Sequence, residues 1–244
     1  LHQVGIPVLF NFSADLDLAD LDRHVGYFAQ GGTGLPDPAY YTREDADTRA
    51  LLGRYTEYVE KILALTGTPP EQLKAEMAQV LDLETRLARA SRPLTSLRDP
   101  RANYALVPTA GLGKQFRNLQ LDQFLEAQGV TDANVSMAHL DYFTQVDGLV
   151  RSLKPAQWKV YLRYQIGNAM APYLSQAFRD AHFSFHGRVL RGQTAPLQRD
   201  VQLLQAINRA AGPMMAREYV ARYLPDATRS RAESIAGDVR TALA

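Results

Sequence analysis

The sequence predicts a predominantly α-helical fold with a small antiparallel β-hairpin near its amino terminus. Three observations lead to this prediction. Several long segments place apolar residues three and four positions apart, which is the period of a helix that packs on one side. The first 30 residues are instead rich in β-forming side chains. Finally, the chain has 244 residues, 46% of them hydrophobic, which is enough to bury a full core.

The β element is expected at the start of the chain, with strands at about 7–13 and 23–30. In the second strand Val25, Tyr27 and Ala29 alternate with polar or small neighbours, as in a half-buried strand. The sequence GGTGLPDP follows and interrupts regular structure, because glycine and proline favour turns. We therefore assign residues 1–30 to the β element.

Residues 42–244 are predicted to be helical. Gly67 ends the first helix, Pro69 and Pro70 open the second, and Pro172 kinks or splits the fifth. The predicted helices cover, in chain order, residues 48–67, 70–90, 118–128, 139–152, 155–180, 197–223 and 228–244. The stretch 156–179 is apolar on several sides, which indicates a buried centre. We interpret residues 1–244 as a single helical lobe.

Composition excludes several classes of function. The 27 basic and 26 acidic residues leave a net charge of +1, so the chain lacks the positive field that binds nucleic acid. It has no cysteine, which excludes disulfides and thiolate zinc sites. No apolar run approaches the ~18–20 residues that span a bilayer. Because no signal segment follows Leu1, we expect any targeting or anchoring segment to lie upstream, in a longer protein.

The segment DAHFSFHG places His182 and His186 four residues apart, on one face of a helix. Zinc peptidases use this spacing in the motif H-E-x-x-H, where the glutamate takes a proton from the zinc-bound water. Here Phe183 occupies the position of that glutamate, so no base is available. We interpret both histidines as ordinary packed side chains, and we predict neither a catalytic residue nor a metal ligand in this chain.

Three further motifs are incomplete. The sequence PTAGLGKQF has Pro108 and Gln115 where a phosphate-binding loop needs glycine and serine or threonine. The aspartates of DLDLADLD, residues 15–22, lack the spacing and the glycine of a calcium loop, and a solvated turn is favoured. Asn11 and Asn134 begin glycosylation triplets of a kind that is common by chance.

Glu84 is the most unusual polar residue, because it falls on the apolar face of the predicted 70–90 helix. A carboxylate that faces a core must be paired or hydrogen-bonded. One interpretation is a general acid with a perturbed pKa. The other is a structural ion pair with Arg98 or Arg163. We favour the structural role, since no histidine or nucleophile is expected to converge on Glu84.

Six segments in order resemble the amino-terminal half of the neprilysin and endothelin-converting-enzyme family of zinc metallopeptidases. The bacterial oligopeptidases of that family are the most similar, and the resemblance extends from about Val4 to Val239. The sequence GLP followed by YY is its most specific part. The segments are FNFSADLD, GTGLPDPAYYTRED, VLDLETRLARAS followed by RDP and NY, LKPAQWKVYLRYQI, VLRGQ and QRDVQLLQAINRAAGPMMAREYV.

The resemblance implies a protein of two lobes. A catalytic lobe, further along than this sequence goes, would carry H-E-x-x-H and bind zinc. The present stretch would be a helical cap over the active site that binds no metal itself. Its partners would be peptide substrates and the catalytic lobe of the same chain, outside the cytoplasm and without membrane contact in this segment. Animal members are rich in disulfides, so the absence of cysteine suggests a bacterial type.

Two other functions remain open. The lobe could be a free-standing interaction module that binds a partner helix in an apolar groove. It could also be an independent hydrolase that uses His182 and His186, in which case it would take up zinc. A reading frame that continues beyond Ala244 into H-E-x-x-H would favour the cap, and a stop codon there would favour the module.

Overall fold

The fold is described from a computed structural model of the chain, which covers residues 1–243. It is predominantly helical with a small sheet, as predicted. Contacts within the chain divide it into two compact units, Leu1–Thr194 and Ala195–Ala244. The organisation of the chain as a single lobe stays a prediction.

The predicted hairpin is present, but its strands are longer than expected. Strand β1 is Phe10–Asp17 and strand β2 is Asp20–Gln30, paired antiparallel. The carboxylate of Asp17 accepts the backbone N–H of Ala19 at 2.9 Å, and this bond closes a tight turn between the strands. Most of the acidic segment 15–22 therefore lies in the strands themselves.

Two short strands complete the sheet, and the sequence did not indicate them. Strand β3 is Leu106–Pro108, and strand β4 is Asn134–Ser136. The strand order is β1-β2-β4-β3, with β4 parallel to β2 through Tyr27 and Ser136 and antiparallel to β3. Strands of three residues are too short to show an alternating pattern.

The five helices predicted for the first unit are present in the predicted order, whereas a one-turn helix at Leu112–Gln115 and a π-helical segment at Phe183–Val189 were not predicted. The helices of this unit are α1 (Ala46–Leu65), α2 (Leu73–Ala90), α3 (Leu112–Gln115), α4 (Leu121–Ala127), α5 (Leu140–Ser152), α6 (Pro155–Met170) and α7 (Gln176–His182), and the π-helical segment continues from α7. Short 3-10 turns include Pro38–Tyr41, Leu94–Arg98 and Ala171–Tyr173. Pro172 lies in the last of these turns and splits the long helix, as predicted.

One helix start was wrong. Pro69 and Pro70 precede α2 instead of opening it, because Gln72 N–H bonds to Pro69 O at 2.9 Å and forms a separate turn.

The second unit contains α8 (Arg199–Tyr223) and α9 (Asp226–Leu243). Helix α8 has a kink at Ala211, two residues before Pro213. The predicted end of the last helix at Ala244 lies outside the described residues. Over residues 1–243, no helix has the length and apolar character to cross a bilayer.

The first unit has two hydrophobic clusters, and α2 and α6 contribute to both. One lies between the sheet and α2–α6, and the other lies among α1, α2, α6 and α7. The buried members of the first are Phe10, Phe28, Leu83, Leu87, Leu112, Phe116, Leu121, Leu125, Val135, Met137, Tyr142, Phe143, Val146 and Tyr161. Those of the second are Leu35, Tyr41, Tyr55, Tyr58, Val59, Ile62, Leu63, Val80, Ala88, Val160, Tyr164, Ala171, Ala181 and Phe185.

Candidate functional site

The loop GGTGLPDP, residues 31–38, is held in place by tyrosine hydroxyl groups. The hydroxyl of Tyr142 donates to the carbonyl of Gly31 at 2.7 Å, and that of Tyr161 donates to the carbonyl of Gly32 at 2.7 Å. The backbone N–H of Leu35 donates in turn to the hydroxyl of Tyr41 at 2.9 Å. These bonds come from separate elements, so the loop conformation depends on the tertiary fold.

Two glycines of this loop are required by geometry. Gly32 has φ +80°, which lies in the region that side chains disfavour. A Cβ atom at Gly34 would collide with the hydroxyl of Tyr55. The loop can therefore pack against the helices below it only with glycine at both positions.

Glu84 lies directly below this loop and is fully buried. Its Oε2 accepts hydrogen bonds from the hydroxyls of Tyr41 and Tyr55, each at 2.7 Å. Its Oε1 accepts from Nε2 of Gln165 at 3.1 Å. Because the Tyr55 proton is directed to Glu84, the neighbouring hydroxyl of Tyr164, 2.8 Å away, donates to Tyr55.

The predicted arginine partner of Glu84 was wrong. Arg163 instead bonds to the carboxylate of Glu76 and to Oγ1 of Thr68, the latter at 2.7 Å. Arg98 lies in a 3-10 turn, and no described ion pair involves it or Glu84. Neutral hydroxyl and amide donors thus take the place of a cation.

The environment of Glu84 shifts several pKa values. Burial raises the pKa of the Glu84 carboxyl from its usual 4.5 to about 7, although its hydrogen-bond donors lower it. Burial, followed by the nearby Glu84 charge, raises the pKa values of Tyr41, Tyr55 and Tyr164 well above 10, so these hydroxyls keep their protons. Glu84 is therefore the group in this cluster that changes charge near neutral pH.

A cleft of about 420 Å³ lies beside the loop, bordered by the start of β1, the end of β2, the segment 91–97 and the end of α6. None of its lining residues is charged. The polar lining residues are Asn11, Gln30, Thr33, Ser91, Gln165 and Asn168, and the larger apolar ones are Pro7, Leu35, Pro36, Pro38, Leu94 and Leu97. Its size is within the range of small-ligand sites, and its mixed lining is suited to a neutral ligand.

The two histidines lie beside the second cluster, where the ring of His186 packs against Tyr58 and Phe185. The rings of His182 and His186 stack with their centroids 4.5 Å apart, and Nε2 of His186 is 3.2 Å from Oδ1 of Asn168. Burial lowers the pKa of each ring to about 4, so both are neutral at pH 7. Across residues 1–243 no three His, Asp or Glu side chains converge as metal ligands. This pair does not fit the zinc site of a peptidase.

The other sequence motifs have ordinary structural surroundings. Pro108 ends β3, and Lys114 lies on the one-turn helix α3. Asn11 is in β1, where its side-chain amide donates to the carbonyl of Gln30 at 2.8 Å, and Asn134 is exposed at the start of β4.

Sequence reasoning missed Gln165 and Asn168, the two polar residues of α6 that line the cleft. They lie three residues apart on α6, within the stretch that was interpreted as an apolar centre. The same signal that drew attention to Glu84, a polar residue on a buried helix face, was available for both. They were overlooked because α6 is apolar on several sides and has no obvious polar face.

Comparisons with known proteins identify the family. The model for the amino-terminal region of peptidase family M13 matches residues 1–244. Endothelin-converting enzyme-like 1 of Mus musculus is 26% identical over 238 residues, which are 95% of this chain and 30% of that protein. Neprilysin-3 of Drosophila melanogaster is 28% identical over 193 residues, covering 74% of this chain and 25% of that protein.

Solved structures agree with this result. The zinc metalloprotease Zmp1 of Mycobacterium tuberculosis, in its open state, superposes with a TM-score of 0.88 at 25% identity and covers 99% of this chain. PepO of Lactobacillus rhamnosis has the same fold, with a TM-score of 0.81 at 19% identity. The chain covers 38% of the Zmp1 chain, so it spans only part of its relatives. The chain belongs to peptidase family M13 and corresponds to the amino-terminal region of that family.

Proposed function

We propose that this chain is the non-catalytic amino-terminal lobe of a neprilysin-like zinc metalloendopeptidase. In this proposal it caps the active-site chamber and restricts access to oligopeptides. The zinc ligands and the general base belong to a catalytic lobe elsewhere in the parent protein. The parent acts outside the cytoplasm, and this location rests on the likeness to endothelin-converting enzymes and neprilysins.

One observation carries the proposal. The family match covers residues 1–244 in full, yet the chain spans only 38% of Zmp1 and contains no H-E-x-x-H sequence. The described residues include no cluster that could hold a metal, and the two histidines that share a helix face do not fit one. We therefore propose that this region contributes to peptide cleavage by enclosing the substrate and not by metal chemistry.

The first unit has the physical properties that a chamber wall needs. Its two clusters share α2 and α6, so these helices join both halves of the core. Hydrogen bonds from Tyr142 and Tyr161 fasten the glycine-rich loop to this core. A wall of this kind excludes bulky substrates and water without contributing to the chemistry.

The test uses the full-length protein that contains this chain. One flexible peptide is offered free, and the same sequence is offered inside a surface loop of a folded domain. We expect cleavage of the free peptide, loss of that cleavage with a chelator, and at least tenfold slower cleavage within the folded domain. Unfolding the domain should restore cleavage. Equal rates for the free and the folded substrate would refute the cap.

The interaction module remains the second candidate, because α8 and α9 expose large apolar side chains. Met214, Tyr219 and Tyr223 are each at least 65% exposed, and Ile235 and Val239 are more than half exposed. An exposed apolar face is typical of a surface that binds another protein, and a cap separated from its catalytic lobe would expose one too. The gene sequence distinguishes the two candidates: a reading frame that continues past Ala244 into H-E-x-x-H supports the cap, and a stop codon supports the module.

A further inference from the structure

Two carboxamide side chains of α6, Gln165 and Asn168, line the neutral cleft. Residues three apart on a helix lie next to each other on its surface. Gln165 is 8% exposed and Asn168 is half-buried, so both are largely enclosed by protein.

The orientation of each carboxamide is fixed by groups behind it. Nε2 of Gln165 faces two acceptors, Oε1 of Glu84 at 3.1 Å and the carbonyl of Gly32 at 3.4 Å. Oδ1 of Asn168 accepts from the hydroxyl of Tyr58 at 2.6 Å. Within residues 1–243 this leaves Oε1 of Gln165 without a donor and Nδ2 of Asn168 without an acceptor. Neither atom is a buried unpaired atom, and both residues line the cleft.

We propose that Gln165 and Asn168 form a recognition pair for the backbone N–H and C=O of one extended residue of the substrate. Nδ2 of Asn168 donates to the substrate carbonyl, and Oε1 of Gln165 accepts the substrate N–H. The pair supplies one donor and one acceptor side by side. In an extended segment the C=O and N–H of one residue point to the same side, whereas those of one trans peptide group point in opposite directions. Because Glu84 and Tyr58 already hold both side chains, little conformational freedom is lost on binding. The inference rests on the proposed function and assigns a substrate contact to it.

The lining of the cleft defines the substrate segment further. Without a charged lining residue, the cleft offers no partner for a phosphate, a chain terminus or an ionised side chain, and the burial of such a charge would be costly. Leu94 and Leu97 form part of an apolar wall, and Leu94 is 39% exposed and free to contact a ligand. The site therefore takes an uncharged internal segment of a peptide with an apolar side chain.

The test uses the 244-residue chain and a blocked neutral peptide, N-acetyl-Ala-Leu-Ala-amide. Binding is followed by NMR through the side-chain amide resonances of Gln165 and Asn168. We expect both resonances to shift on titration. The Asn168→Asp variant keeps the acceptor for Tyr58 but loses the donor, and its affinity should fall about tenfold or more. The matched control Gln145→Glu, which adds the same charge at an exposed site on α5, should bind like the wild type.

A second arm needs no variant. A peptide of the same sequence with every backbone nitrogen methylated lacks the N–H that Gln165 would accept, and it should also bind about tenfold more weakly. Equal binding of the methylated peptide, unchanged affinity of Asn168→Asp, or saturable binding of a neutral trisaccharide in place of the peptide would overturn the pair. If the pair fails while the full-length protein still discriminates free from folded substrate, the cap stands without this contact. If the full-length protein does not discriminate free from folded substrate while the peptide still binds, the recognition pair stands and the cap is refuted.

Discussion

The two units of the chain have similar sequence patterns but very different burial. Helix α1 of the first unit has an apolar face on which Tyr55 and Ile62 are completely buried. Residues 197–223 were likewise predicted to be helical, yet none of the residues of helix α8 in the second unit is buried, and Leu203 and Met214 are 47% and 73% exposed. Hydrophobic periodicity therefore predicts a helix and its apolar side, but not whether that side is buried.

The largest expected effect is the loss of stability when a buried core side chain is truncated. Leu87 on α2 is fully buried, and Leu87→Ala should lower the free energy of unfolding by about 2–5 kcal/mol through lost burial and a cavity. The same substitution at Leu203 on α8 should change it by no more than about 0.5 kcal/mol. Urea unfolding followed by circular dichroism measures both variants.

Fluorescence of Trp158, the single tryptophan, reports the unfolding of the first unit separately, because its side chain packs against the first cluster. A loss at Leu203 as large as that at Leu87 would contradict the comparison, since it would require α8 to be covered in solution.

The second effect concerns charge inside the first unit. Because the folded chain holds the Glu84 proton up to about pH 7 and the unfolded chain releases it near 4.5, the folded form binds more protons in this window. The stabilisation linked to Glu84 is complete below pH 4.5, decreases as the pH rises, and is lost above about 7. The shift corresponds to roughly 3 kcal/mol. The side chain of Glu84→Gln cannot titrate. The free energy of unfolding of this variant should therefore increase relative to that of the wild type as the pH rises from 4.5 to 7.

The quantity to measure is the difference in free energy of unfolding between wild type and Glu84→Gln at each pH. His182 and His186 change the stability of both proteins in the opposite direction to Glu84, and this contribution cancels in the difference. Burial lowers the pKa of both rings, so their contribution to stability rises with pH between about 4 and 6.5 in either protein. Glu233→Gln on α9, whose carboxylate is exposed, should reproduce the wild-type profile. A constant difference between wild type and Glu84→Gln from pH 4.5 to 7.5 would refute a raised pKa.

Much of the fold could be predicted because its information is local. The helix stripes, the Gly67 stop, the break at Pro172 and the hairpin each depend on a few consecutive residues. Strands β3 and β4 could not be predicted, since they exist only through pairing with β2 and with each other. The strand ends at residues 14–22 were missed because one side-chain bond from Asp17 tightens the turn.

The candidate site shows the same division between local and distant information. The position of Glu84 on a buried face followed from its helix period. Its partners did not, because Tyr41, Tyr55 and Gln165 come from a 3-10 turn, α1 and α6, which meet only in the folded chain. An arginine was expected because a buried charge needs compensation. Hydroxyl and amide donors supply that compensation without a second charge.

The smallest expected effect is at the starts of α1 and α8. The carboxylate of Asp45 caps α1 by accepting the backbone N–H of Thr48 at 2.9 Å and its hydroxyl at 2.8 Å. Asp45→Ala should therefore cost about 1 kcal/mol of stability. Gln198 occupies the same position before α8 but makes no side-chain cap, so Gln198→Ala should leave the free energy of unfolding and the helical circular dichroism signal unchanged. A measurable loss at Gln198 would mean that α8 begins differently in solution, and the contrast between a capped, covered helix and an uncapped, uncovered one would no longer hold.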